Sequence, residues 1–228
     1  MAIIDKPSDY FNTSAVWSGD DSEHTISGIG HQPDFTWIKG VNIGTQHYLF
    51  DIVRGATKII IANGTNAEST NAQTLKSWNS DGFVLGTSDD VNGSGRTYIA
   101  WNWKESATAG FDILTYEGSG SAQTISHNLG VKPDMIIVKN IDSSDPPFNW
   151  RVYHSSLGAG VALKLNATDA VSDDPGYWGD TEPTSSVFSV KDSGETNNSG
   201  QTYIAYLFAG KQGYSKFGSY VGNGNADG

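Results

Sequence analysis

Two segments of the chain, residues 97–103 and 202–208, carry large apolar side chains at every second position. These side chains are Ile99, Trp101 and Trp103 in the first segment and Ile204, Tyr206 and Phe208 in the second. Successive side chains of a β-strand point to opposite faces, so this alternation predicts two strands that each have one apolar face. We expect both faces to pack against an opposing sheet, as in a β-sandwich.

A second repeated pattern joins a turn to a strand that is apolar on both faces. Gly30, Pro33 and Asp34 recur as Gly130, Pro133 and Asp134, an offset of 100 residues. Proline fixes φ and has no N–H to donate, so Gly-x-x-Pro-Asp predicts a turn that leads into a strand. The apolar run that follows each turn is typical of a strand buried inside a sandwich.

The offset between matching positions grows from 99 near the start of each copy to 105 near its end, and the extra residues fall in turns. The sequence therefore predicts an all-β protein built from tandem antiparallel β-sandwich units of the jelly-roll type. We assign repeat 1 to residues 1–105 and repeat 2 to residues 106–210. Residues 211–228 resemble the opening strand again, with Tyr220 aligned to Tyr116. They form either the opening strand of a third repeat in a longer parent protein, which we favour, or a strand that closes the sheet of repeat 2.

Composition narrows the class of protein. Apolar residues make up 37% of the chain, aromatic residues 11%, and 27 residues are glycine, which favours short strands and many turns over long helices. The net charge of −11 is divided as −5 and −6 between residues 1–105 and 106–228, so no basic block is present and nucleic acid is an unsuitable partner. No cysteine is present, which excludes disulfides and thiolate zinc sites. We find no signal peptide and no apolar run of transmembrane length, and we expect no membrane insertion.

Several motifs together resemble a known family. They are KPSDYFNT at the start, GVKPDMIIVK, NWRVYHSSLGAG, TYIAWNWK and YSKFGSYVGNGNADG at the end. In combination they resemble an uncharacterised β-rich repeat domain of structural proteins from tailed phages, especially marine ones, and the resemblance covers nearly the whole chain. It implies a concanavalin-like sandwich fold and a protein on the virion exterior, made in the host cytoplasm. The implied partners are other virion proteins and copies of itself. The family supplies no catalytic residues to carry over.

One repeated polar motif has the spacing of metal ligands. It consists of Asp90, Asn92 and Ser94 in repeat 1 and of Glu195, Asn197 and Ser199 in repeat 2. Oxygen-bearing side chains at alternate positions before a glycine resemble the first half of a calcium loop. The bidentate glutamate that usually ends such a loop is absent from both copies. The alternative is a glycine-rich hairpin turn without an ion, and Ca²⁺ is the only cofactor that the sequence suggests.

A binding surface for host glycans is the second functional hypothesis. Four aromatic residues, Trp78, Trp150, Tyr177 and Trp178, lie in or near segments that we predict to be irregular. An aromatic ring on a loop can stack on the apolar face of a sugar, and Tyr177 and Trp178 lie among turn residues. The alternative is that these rings fix their loops by being buried, or that they anchor a subunit interface.

A polysaccharide-degrading enzyme is a third, weaker hypothesis. Glycoside hydrolysis requires two carboxyl groups held about 5–10 Å apart across a cleft. The six glutamates form no short Glu-x-Glu or Asp-x-Glu pattern that recurs in both repeats. No His-Glu-x-x-His motif, nucleophile elbow or phosphate-binding loop is present either. We therefore expect a protein without enzymatic activity.

Overall fold

The computed structural model describes residues 3–142 and 147–225, and these are almost entirely β-strand and turn. Repeat 1 contains β1 (Phe11–Ser18), β2 (His24–Ile26), β3 (Phe35–Gly40), β4 (His47–Asp51), β5 (Lys58–Ile61), β6 (Ser69–Thr70), β7 (Leu75–Asn79), β8 (Gly82–Leu85), α1 (Asp89–Asn92) and β9 (Thr97–Trp103). Repeat 2 contains β10 (Phe111–Glu117), β11 (Gln123–Ser126), β12 (Met135–Asn140), β13 (Arg151–His154), β14 (Val161–Lys164), β15 (Ser172–Asp173), β16 (Val187–Val190), α2 (Gly194–Asn197) and β17 (Thr202–Phe208). The predicted all-β class is confirmed.

Each repeat forms one large and one small antiparallel sheet. The large sheets have the strand orders β1-β9-β3-β4-β5-β6 and β10-β17-β12-β13-β14-β15, which are the same order in repeat numbering. The small sheets have the orders β2-β8-β7 and β11-β16. In both repeats the opening strand pairs with the last strand of its own repeat, so β1 and β10 form one edge of an open large sheet.

The sheets stack in layers around three apolar clusters. Each small sheet covers one face of its large sheet, where Phe83 packs near Tyr98 in repeat 1 and Phe188 near Tyr203 in repeat 2. The opposite faces of the two large sheets meet in a central core that contains residues from both repeats. There the rings of Phe35 and Tyr206 lie 4.6 Å apart. Full burial of one such ring stabilises the fold by about 2–3 kcal/mol. Because the central core contains residues of both repeats, the two repeats pack together as one β-sandwich assembly.

The Pro-Asp turn works as a clamp on the chain beyond the last strand of each repeat. The Asp34 carboxylate accepts a hydrogen bond from the amide of Glu105 at 2.8 Å. Asp134 does the same for the amide of Gly210 at 2.7 Å. Proline places each aspartate at the start of a central strand, next to the end of β9 or β17. The repeated turn therefore fixes where the chain leaves each large sheet.

The chain after β17 does not close the sheet of repeat 2. Lys211 and Ser215 form an isolated bridge, and the residues from 216 to 225 contain no strand. Tyr220 is 94% exposed and Val221 is 95% exposed. The interpretation of this segment as a closing strand is therefore wrong for the residues that the structure describes. In those same residues, no helix is long and apolar enough to cross a membrane.

Candidate functional site

The residues with calcium-like spacing lie on the connection between the small and large sheets of each repeat. The connection from β8 to β9 is the short helix α1 followed by a turn, and it joins strands of different sheets. It is therefore not the hairpin turn that we expected as the alternative. The Ser88 hydroxyl caps α1 by accepting a hydrogen bond from the amide of Asp90. Serine at this position satisfies an amide that the first turn of a helix leaves without a partner.

Asn92 and Asn197 are buried and tie three segments together in each repeat. The Asn92 side-chain amide donates to the carbonyl oxygens of Ser22 at 2.6 Å and Gly86 at 2.9 Å. The Asn197 amide donates to the carbonyl oxygens of Ser121 and Lys191. Both asparagines are fully buried, so each bond replaces one that water would otherwise make. The repeated asparagine is a structural clamp.

The carboxylates of the motif bind protein donors. Tyr48 donates its hydroxyl proton to Asp90 at 2.6 Å, and Glu195 pairs with Arg151 in a mostly buried ion pair. Glu195 also accepts a hydrogen bond from the Asn149 amide at 2.7 Å. No group of three histidine or carboxylate side chains suited to a metal ion occurs among residues 3–142 and 147–225. The calcium hypothesis gains no support from these contacts. Ser94 and Ser199, the last residues of the motif in each repeat, are exposed.

Three of the four aromatic residues proposed to bind sugars are buried. Trp150 lies in the central core and donates its indole proton to the Ile61 carbonyl at 2.9 Å. Trp178 packs edge-on against Tyr153, and the Tyr177 ring lies 4.0 Å from the Arg151 guanidinium carbon. Trp78 is half-buried against the outer core of repeat 1. The predicted exposed platform of Trp150, Tyr177 and Trp178 is therefore wrong, because these rings fix their loops by being buried.

An accessible aromatic surface lies instead at one end of the central layer. Trp37, His47, Trp101 and Trp103 line a cavity of about 340 Å³ on the large sheet of repeat 1. Trp37 and Trp103 also line a second cavity of about 230 Å³ that enters between the two large sheets. We call these two cavities together the aromatic cleft. The walls of the aromatic cleft are almost entirely apolar.

Strand register brings the rings of the aromatic cleft together. Trp37 on β3 lies opposite Trp101 on β9, and their rings are 6.4 Å apart at an angle of 77°. The Trp37 indole donates to Nδ1 of His47 at 3.0 Å. Partial burial, with a smaller contribution from nearby Lys39, lowers the pKa of His47, which favours the neutral ring that can accept this bond. The residue alternation predicted the apolar face but not that one end of it stays open.

The corresponding positions in repeat 2 are buried in the central core, where they form the inner wall of the second cavity. Trp37 corresponds to Ile137, His47 to Trp150, and Trp101 to Tyr206. Those three repeat 2 side chains lie in the central cluster, whereas Trp101 is only half-buried. The predicted packing of the aromatic faces against an opposing sheet therefore buries Ile204 and Tyr206 of repeat 2, whereas Phe208 and the rings of repeat 1 are only partly covered.

One carboxyl group, that of Glu105, has a raised pKa of the kind that acid catalysis uses. Partial burial, followed by a hydrogen bond to Asp112, raises the pKa of Glu105 to about 7. Asp112 is buried and accepts a further hydrogen bond from the Asn128 amide at 2.6 Å. Two carboxyl groups in direct contact are closer than the separation of about 5–10 Å that glycoside hydrolysis uses. Glu105 lies on the connection between the repeats and Asp112 on β10.

Comparison with known proteins gives one match, which spans nearly all of the chain. A family model described as a domain of unknown function, DUF7483, matches residues 6–228. The chain belongs to the DUF7483 family. No curated protein and no solved structure matches the chain. The DUF7483 match includes both repeats and also the segment after β17, of which residues 218–225 are exposed, so that segment is part of the pattern shared by the family.

Proposed function

We propose that this DUF7483 chain is a non-catalytic structural protein of a phage virion, in a tail fibre, a tail or a capsid decoration. It acts through assembly and surface adhesion, with copies of itself and other virion proteins as partners. The motifs that resemble phage structural proteins support the virion assignment. The match of the family model to the exposed C-terminal segment supports a role for that segment in contacts.

The observation that carries this proposal is a third opening-strand sequence, around Tyr220, that pairs with none of the strands in the described residues. Both opening-strand positions are filled, by β1 and by β10. The third copy, around Tyr220, is exposed. An exposed strand sequence presents unpaired backbone N–H and C=O groups and an aromatic side chain. Another protein surface can bind both.

Analysis of purified virus particles tests the proposal. We expect the chain in the particle fraction at many copies per particle, with labelled antibodies binding the particle exterior. A host protein of similar abundance, followed through the same purification, controls for carry-over. Recovery of the chain only among unassembled proteins of the lysate would contradict a structural role. Release of new reducing ends from host polysaccharide by the purified chain would contradict the non-catalytic part.

A second function, recognition of host surface glycans, is favoured by the aromatic cleft. The half-buried rings of Trp37 and Trp101 offer apolar faces, and the side chains of Gln46 and Asn63 lie beside His47 and bond to each other at 2.6 Å. Aromatic faces with amide groups at their border suit the apolar and hydroxyl surfaces of a sugar. We expect glycan binding to quench tryptophan fluorescence and Trp101→Ala to abolish the effect. Trp78→Phe, which changes a tryptophan outside the cleft, is the matched control and should bind normally.

A further inference from the structure

The segment from 214 to 225, which we call the tail, repeats the end of both opening strands. The three copies are Trp17-Ser18-Gly19, Tyr116-Glu117-Gly118 and Tyr220-Val221-Gly222. In the two docked copies the aromatic ring stacks on a tyrosine of the neighbouring strand and its polar atom donates to a backbone carbonyl. The tail therefore carries the side chains that hold an opening strand in place.

The turn that follows the aromatic residue also has the same conformation in all three copies. Asp21, Gly120 and Gly224 have φ values of 57°, 71° and 73°. The residue after each of them donates its amide to a side chain two positions earlier, at 3.0, 3.3 and 2.8 Å. Positive φ is routine for the two glycines and uncommon for a residue such as Asp21, so the backbone at this repeat position adopts it whichever residue is present. The tail adopts the turn of a docked strand.

The chain also enters the tail by the same route that it takes into β10. Between the repeats, Ser106 and Phe111 form an isolated bridge just before the second opening strand. After β17, Lys211 and Ser215 form the corresponding bridge just before the tail. Ser106 and Lys211 occupy equivalent positions, at the offset of 105 that relates β9 to β17. The tail thus begins where an opening strand begins.

All three copies have a glycine two positions after the aromatic residue, and its surroundings differ between the docked strands and the tail. A Cβ on Gly19 would lie 2.2 Å from the Gly93 carbonyl oxygen, and a Cβ on Gly118 would lie 2.2 Å from that of Asn198. Both contacts are too close for any other residue. A Cβ on Gly222 of the tail would meet nothing within 4 Å. Gly222 therefore has the residue type that docking requires, although its own chain makes no such contact.

Of the two filled positions, that of β1 is the more easily vacated. Two of the eight residues of β1 are buried, and its register with β9 shifts between Asn12 and Ala15. β10 pairs with β17 without interruption over seven residues. Replacing β1 by a strand of the same pattern restores the lost pairing and burial, which makes the exchange low in cost.

We propose that the tail of one copy of this chain takes the place of β1 in repeat 1 of a second copy. Tyr220 then stacks on Tyr98 where Trp17 had been, and Gly222 passes beside the Gly93 carbonyl. The contact joins two different surfaces, so it propagates from copy to copy and gives closed rings or filaments. The inference rests on the proposed assembly function and names the partner as another copy of the chain.

Cysteine pairing between two full-length variants tests the exchange. Val16 lies opposite Ile99 in the β1–β9 pair, and Ser219 of the tail is the equivalent of Val16. We therefore mix the Ile99→Cys variant with the Ser219→Cys variant under mild oxidation. Opposed positions on neighbouring strands are close enough for a disulfide, and the chain has no cysteine of its own. We expect a disulfide-linked dimer that contains one copy of each variant.

Two glycine substitutions in the tail provide the matched controls. In the free tail, a Cβ on Gly218 and a Cβ on Gly222 both meet nothing within 4 Å, so neither substitution alters the folded monomer. Docking tolerates Gly218→Ala, because the equivalent residue of repeat 1 is Ala15, but it excludes Gly222→Ala. We expect Gly222→Ala in the Ser219→Cys variant to lower the yield of mixed dimer about tenfold or more, equivalent to about 1.4 kcal/mol, and Gly218→Ala to preserve it.

Three outcomes overturn the inference. They are a failure to form the mixed dimer, equal yields from the two glycine variants, and, in a further variant that carries both Ile99→Cys and Ser219→Cys, a disulfide that forms only within single chains. The last outcome would show that the tail replaces β1 of its own chain. Detection of the chain in virus particles together with any of these results leaves the structural role in place and removes only strand exchange. A mixed dimer of a chain that is absent from particles removes the virion role alone.

Discussion

Repeat 1 and repeat 2 have the same strand order, but they differ at the positions that face each other in the central layer. Repeat 2 fills this layer with Trp150, Ile137 and Tyr206, whereas repeat 1 leaves the aromatic cleft around His47 and Trp101. The asparagine clamps and Pro-Asp turns are equivalent in both repeats. Matching positions therefore build the framework, and the positions that differ set how each repeat meets its surroundings.

A buried ion pair is the largest of these differences. In repeat 1, Arg54 is almost fully buried and binds Asp51 at 2.6 Å and Glu68 at 3.2 Å. Tyr206 of repeat 2 donates its hydroxyl to Asp51 at 2.7 Å, which links the two repeats. The position equivalent to Arg54 in repeat 2 is Leu157, which is 44% exposed.

Removing each of these two side chains should therefore have very different effects. Arg54→Ala leaves the Asp51 carboxylate buried without its cation, so we expect the free energy of unfolding to fall by about 3–5 kcal/mol. Leu157→Ala removes a side chain that is already largely in water and should cost less than about 1 kcal/mol. Urea unfolding of both variants measures the difference through the midpoint at constant m value. Equal losses would show that the ion pair does not hold the repeats together.

The residue pattern predicts the framework well because its rules act locally. The spacing of Pro33, Asp34 and their copies gives the turns, and the alternation of residues 97–103 gives a strand with one apolar face. Neither pattern states what covers that face. The sequences around Trp150 and Trp101 both suit a strand or the edge of a loop, yet Trp150 is fully buried and Trp101 is half-buried. That outcome depends on the packing of one repeat against the other, which has no local signal in the sequence.

Equivalent lysines at the ends of the central strands offer a second, smaller contrast. Lys139 is fully buried and donates to the Asn140 carbonyl at 2.6 Å, whereas Lys39 is half-buried and donates to three oxygen atoms. Burial lowers the pKa of Lys139 to about 8. The folded pKa lies below the value of about 10.4 in an unfolded chain, so the stability of the protein should rise as the pH rises from about 8 to 10.

Substitution by methionine should act in opposite directions at the two sites. Lys139→Met removes a buried ammonium group, and we expect it to stabilise the protein by about 1–3 kcal/mol at pH 7 and to flatten the rise above pH 8. Lys39→Met removes the ammonium group that donates to three oxygen atoms, and we expect it to destabilise the protein by about 1 kcal/mol. Urea unfolding at pH 7 and pH 10 separates the two effects. Destabilisation by Lys139→Met at both pH values would mean that its hydrogen bond outweighs the cost of burying the charge.

The smallest contrast concerns the second residue after the last strand of each repeat, which is Glu105 in repeat 1 and Gly210 in repeat 2. Both amides donate to the aspartate of the Pro-Asp turn, but only Glu105 adds a carboxyl group, which lies against Asp112. Its pKa of about 7 exceeds the unfolded value of about 4.3, so the folded state binds the extra proton between these values. The stability contributed by this proton is present below about pH 4 and is lost as the pH rises through 7.

Glu105→Gln keeps the side chain's shape and removes the titration. Because Glu105 is partly in water, solvent screening reduces its effect, and we expect the variant to be more stable than the native chain by about 1 kcal/mol at pH 8 and equal to it near pH 5. Glu117→Gln, which changes an exposed carboxyl group on the same strand as Asp112, should leave the pH dependence unchanged. Urea unfolding at the two pH values compares all three proteins. If the native chain and Glu105→Gln lose stability equally between pH 5 and pH 8, then Glu105 is not the group that makes the junction of repeat 1 sensitive to pH, and the two junctions differ in sequence without differing in electrostatics.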